Sequence, residues 1–161
     1  MNMGFPEFRE DFEAFKKLLP DPSMVARHPF IDELPDADHA LEHTEIMFYR
    51  WWALMVNAGD EFRLLIQKQD GEARRYGLSI GVPYILARVD WVIAFLEGLP
   101  PVPDWNAPHI DIGQRVDLMN FAKKYPASIQ RWLTRARKLR ESIQSIAEDY
   151  DPDRMSGRSI S

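Results

Sequence analysis

The sequence predicts an all-α fold, a single bundle of four to six helices joined by proline-rich crossover loops. Apolar residues recur at spacings of three and four through most of the chain, the repeat that aligns side chains on one face of a helix. Prolines gather between those periodic stretches, where they break helices. With 161 residues, 45% of them hydrophobic, the chain is long enough to bury one sizeable core. The expected organisation is a bundle over residues 1–150 and a polar tail over 151–161.

The first helix is expected over residues 6–19, with Phe8, Phe12, Phe15 and Leu19 on one face and Pro20 and Pro22 ending it. Residues 21–35 contain Pro22, Pro29 and Pro35 among few periodic apolar residues and read as a surface connector. Beyond Pro35, Asp36 and Asp38 are suited to cap a helix N-terminus, and the periodic pattern continues toward Gln69. Its buried stripe should comprise Leu41, Thr44, Met47, Phe48, Trp51, Met55, Ala58, Phe62 and Leu65. Gly59 costs a helix about 1 kcal/mol relative to alanine, so one helix or two are both compatible with this stretch.

Residues 68–75, polar and containing Gly71, read as a turn, and the next helix is expected to begin between Ser79 and Pro83 and run to Glu97. Val82, Ile85, Leu86, Val89, Val92, Ile93 and Leu96 cover one side of it, and Tyr84, Trp91 and Phe95 another, which places it at the bundle centre. Pro100, Pro101, Pro103 and Pro108 make residues 99–111 an extended crossover. A short helix over 113–124 should follow. Pro126 then opens a last, external helix to Asp149, with Ile129, Trp132, Ala136, Leu139, Ile143 and Ile146 as its seam.

Composition excludes several classes of chemistry. Without cysteine there are no disulfides, thiolate metal sites or cysteine nucleophiles, and a cytoplasmic setting is the expectation. The opening 13 residues are acidic and lack the pattern of a secretory signal. Residues 78–96 have the length of a bilayer span but contain Gly81, Pro83, Arg88 and Asp90, so a buried core helix is expected and no membrane partner. The glycines form no phosphate-cradling loop. Ser23, Ser79, Ser128, Ser142 and Ser145 sit in no nucleophile-elbow context, so neither a cofactor nor a catalytic residue is assigned.

Charge is distributed unevenly along the chain. Residues 1–60 carry five bases against 12 acids, whereas residues 115–140 carry eight bases against one acid. Lys123, Lys124, Arg131, Arg135, Arg137, Lys138 and Arg140 crowd the last helical region, and Arg131, Arg135 and Lys138 share a face at helical spacing. Such a face can pair with acids of the same molecule, meet an acidic protein partner, or neutralise nucleic-acid phosphates through Lys123, Lys124, Arg131, Arg135, Arg137 and Lys138. Trp105, on the proline-rich loop, either caps the core or docks on a partner.

His39 and His43, four apart, present two imidazoles to one side of a helix, and His109 would have to complete a metal site. Arg50, Arg88 and Asp90 interrupt the most apolar helices and are expected to be buried and paired, with Glu45, Arg50 and Glu97 as candidate partners for the other two, the alternative being a polar ligand site inside the bundle. The leading expectation is a non-enzymatic helical interaction or assembly subunit that binds a protein or a second copy of itself. A nucleic-acid-contacting subunit and a metal-dependent helical-bundle enzyme are the alternatives.

Overall fold

The computed structural model describes residues 4–26, 37–99 and 112–151. Four α-helices are found among them: α1 (Gly4–Lys16), α2 (Ala37–Gln67), α3 (Gly71–Glu97) and α4 (Ile112–Asp149), with a 3₁₀ turn at Pro22–Ala26. The all-α class is therefore what the periodicity announces. Asp36, the connector over 27–36, the crossover over 100–111 and the tail over 152–161 lie outside the described residues.

α4 packs against both α2 and α3, while α1 and the 3₁₀ turn lie against α2 and α3 on the side α4 leaves open. All nine residues of the expected α2 stripe are buried, and Phe8, Phe12 and Phe15 of α1 join the same hydrophobic cluster. The rings are in mutual contact: Phe12 and Phe15 lie 6.4 and 5.4 Å from Phe62, and Phe48 stacks on Trp132 at 5.5 Å. α2 runs through Gly59 without interruption, which settles the choice left open by that glycine.

A Cβ added at Gly59 would meet only Ile143 Cγ1, at 4.0 Å, an ordinary van der Waals contact. Gly59→Ala is therefore expected to stabilise the fold by about 0.5–1 kcal/mol, through helix propensity and a less flexible unfolded chain. A melting temperature unchanged or lowered by the substitution would contradict this packing.

Element boundaries differ from expectation in α1, which runs from Gly4 to Lys16 and stops three residues short of Leu19, and in α3 and α4. α3 begins at Gly71, about eight residues before the predicted start, because the polar residues taken for a turn form the outer face of its first turns. Ala73, Gly77 and Leu78 are buried there, while Glu72 and Arg75 face out. Gly71 has φ +39°, a conformation that favours glycine, and the turn is tied down by Arg74, whose Nε donates to the Gln69 carbonyl at 3.0 Å. Gln67 reaches from the same corner to the Tyr150 hydroxyl, 2.6 Å away, just past the end of α4.

Pro83 and Pro126, read as helix starts, lie inside α3 and α4. Both are exposed, so the carbonyl that each leaves without its N–H donor is on the solvent side, where water can substitute. The expected pair of helices over 113–149 is thus one helix of 38 residues.

α3 touches every other described element but is not sheathed on all sides, and α4 is not purely external. Trp91 is 42% exposed and stacks on Phe95 at the surface, with Ala87, Asp90 and Ala94 also exposed. α4 instead brings Phe121, Tyr125, Trp132, Leu133, Leu139, Ile143 and Ile146 into the core. Among the described residues α3 is long and apolar enough to cross a bilayer, but here its apolar stripe packs against the other helices.

Candidate functional site

The face shared by Arg131, Arg135 and Lys138 forms the α2-facing edge of α4, and there the two helices part to leave a groove of about 220 Å³. Periodicity explains the arrangement. Leu139, Ile143 and Ile146 point toward the core, so the residues at the margin of that stripe, Arg135, Lys138 and Ser142, border α2. From α2 come Trp52, Val56, Gly59, Asp60 and Arg63. The floor is apolar and the rim carries three cations and one carboxylate.

Each cation is held differently. Arg135 lies over two rings, 5.0 Å from the Tyr49 centroid and 5.2 Å from that of Trp52, which fixes its guanidinium at the mouth of the groove. Arg63 Nη2 donates to the Ser142 carbonyl at 2.9 Å and to the Ser145 hydroxyl at 3.1 Å, and its Nη1 lies 3.6 Å from the Asp149 carboxylate. Lys138 is exposed and forms no ion pair among the described residues. Next to the groove, Arg131 donates to the Tyr49 hydroxyl at 3.4 Å, and that hydrogen bond raises its pKa above the ordinary arginine value.

The remaining basic residues divide. Arg137 and Arg140 turn toward α3, where Arg137 meets Glu97 at 3.1 Å and Arg140 meets Asp90 at 2.7 Å. Intramolecular pairing therefore accounts for these two, at exposed positions where such pairs contribute about 0–1 kcal/mol each. Lys123 and Lys124 are exposed about two turns before Arg131 on α4.

The expected buried polar cluster is corrected. Arg50 is exposed, because a helix turns about 100° per residue and burying Trp51 rotates its neighbour outward. The same rotation next to buried Val89 exposes Asp90, whose partner is Arg140 and none of the three expected groups. Arg88 is half-buried and uses Tyr84 of its own helix, its guanidinium 4.4 Å over the ring and Nη2 3.1 Å from the hydroxyl. Glu45 instead accepts a hydrogen bond from the buried Ser128 hydroxyl.

Of the proposed metal ligands, His43 is half-buried near the start of α2, His39 is on the same helix with its side chain undescribed, and His109 lies outside the described residues. No group of three or more histidine, aspartate or glutamate side chains is placed to hold a metal ion among the described residues. Trp105 also lies outside them.

Sequence reasoning found the cationic edge and missed the groove. Trp52, Val56 and Gly59 flank the predicted core stripe by one residue, and only the divergence of α2 from α4 turns them into a floor. Comparison of the chain with protein-family models, curated proteins and solved structures finds no match.

Proposed function

We propose that the chain is a non-enzymatic helical interaction subunit whose α2–α4 groove docks an acidic amphipathic segment of a protein partner. The observation that carries this reading is the pairing of an apolar floor, Val56, Leu139, Ile143 and Ile146, with a rim bearing Arg63, Arg135 and Lys138. Apolar side chains entering the floor supply burial, and carboxylates beside them answer the cations, the division of labour expected of a helix laid in a groove. Arg135 is held by Tyr49 and Trp52 before any partner arrives, so little side-chain entropy is lost there on binding.

The test is a dye-labelled helical peptide with leucines at helical spacing flanked by glutamates, titrated into the full chain and followed by fluorescence anisotropy. Saturable binding is expected, weakened at least tenfold by Arg135→Glu combined with Lys138→Glu and weakened again by added salt. Circular dichroism checks that the variant keeps its helices. No anisotropy change, or salt-sensitive binding of mixed-sequence DNA or RNA with no peptide binding, would overturn the reading.

A further inference from the structure

A second groove, of about 420 Å³, lies between α1 and α2 and is lined by Asp11, Ala14 and Phe15 of α1 with Leu18 just beyond it, and by Glu61, Leu64 and Leu65 of α2 with Lys68 just beyond it. It borders the opposite edge of α2 from the cationic groove, since Glu61, Leu64 and Lys68 follow one side of the helix and Val56, Gly59 and Arg63 another. Its charge balance is opposite: two carboxylates, Asp11 and Glu61, stand against one cation, Lys68. Asp11 and Glu61 are exposed and make no ion pair among the described residues, and Glu7, one turn before Asp11, adds a third carboxylate on the same edge. Between them stand Leu18 and Leu64, 49% and 52% exposed, two of the most exposed large apolar side chains described.

We infer that the partner of the cationic α2–α4 groove is the acidic α1–α2 edge of a second copy of this chain, joined head to tail. The inference rests on the groove being a docking site, as proposed above, and adds the identity of its occupant. Leu18 and Leu64 supply the apolar groups that the floor at Val56, Leu139 and Ile143 can cover, and Asp11 and Glu61 meet Arg135 and Lys138. Charge also dictates the symmetry. A two-fold contact of groove with groove would set Arg63, Arg135 and Lys138 against their own copies with Asp60 alone to answer them, and a contact of edge with edge would oppose carboxylates with Lys68 alone to answer them, so each is disfavoured by net like-charge repulsion. The unlike pairing uses two different surfaces, and such a contact either closes a ring or continues as a chain of subunits.

The test is sedimentation equilibrium of the full chain at rising concentration in low salt. Masses above the 18.8 kDa of one chain are expected, growing with concentration and falling back as salt screens the exposed charges. Arg135→Glu with Lys138→Glu, and separately Asp11→Lys with Glu61→Lys, should each be monomeric, with an association constant at least tenfold lower. Mixed in equal amounts, the two variants should associate again, because each then meets a surface of opposite charge. A chain that stays monomeric yet binds the acidic helical peptide overturns the second-copy partner and leaves the groove standing. A monomer that binds no peptide overturns both. Association unaffected by either pair of reversals, or by either variant alone, places the contact elsewhere and overturns the inference.

Discussion

Gly81→Ala should lower stability by about 1–2 kcal/mol, a few degrees in melting temperature, although alanine is the better helix former. A Cβ at this position would lie 2.3 Å from Phe62 Cζ and 2.5 Å from Cε2, distances that no side-chain adjustment at residue 81 can relieve. The Phe62 ring is fully buried against Phe12 and Phe15, so it has no free direction in which to withdraw. Approaches this short place the clash at the upper end of the overpacking cost, about 2–3 kcal/mol, while the gain in helix propensity offsets about 1 kcal/mol. Phe62→Leu, harmful by itself, should cost less in the Gly81→Ala background, and a double-substitution cycle followed by thermal denaturation measures that coupling. Gly81→Ala as stable as the parent, or strict additivity of the two changes, would refute the close approach of α3 to Phe62. At Gly77 the opposing atoms, Ile66 Cδ1 and Phe8 Cε2, each stand 2.9 Å away, farther than Phe62 from Gly81, so the same substitution should still destabilise but be milder there.

Trp132→Ala should cost about 3–5 kcal/mol, a large part of the stability of an ordinary domain. Trp132 is fully buried and stacks on Phe48, itself 5.9 Å from Trp51, so its removal empties the place where α4 meets α2. Trp132→Phe should be much milder. It keeps a ring against Phe48 and removes an indole N–H that has no acceptor among the described residues, which offsets part of the lost volume. Chemical denaturation of both variants separates the two contributions: equal losses would mean that ring packing is not what Trp132 supplies.

The candidate site was half legible. Helical spacing alone puts Arg131, Arg135 and Lys138 on one face, since that follows from 3.6 residues per turn and requires no neighbour. What stands opposite them does not follow. Glu97 and Asp90 lie 40 and 50 residues from Arg137 and Arg140, and only the packing of α3 on α4 shows that these two arginines have carboxylate partners. The acidic N-terminal third was legible as charge, but its division between α1 and one edge of α2, around Leu18 and Leu64, was not.

Local periodicity determined the helical class, the buried faces of α1, α2 and the second half of α4, and the cationic stripe, because each depends on residues within a few turns of one another. At the same local level Pro83 and Pro126 misled, and Gly59 left the choice between one helix and two open. A glycine or proline alters a helix by an amount that tertiary contacts and solvent can outweigh, so α2, α3 and α4 run on through all three. Tertiary structure alone decided which apolar helix has an open face, which charges pair and where grooves form. Those outcomes depend on how far apart two helix axes lie, and that distance is set jointly by residues such as Gly81 and Phe62, which are remote in sequence and meet only in the folded core.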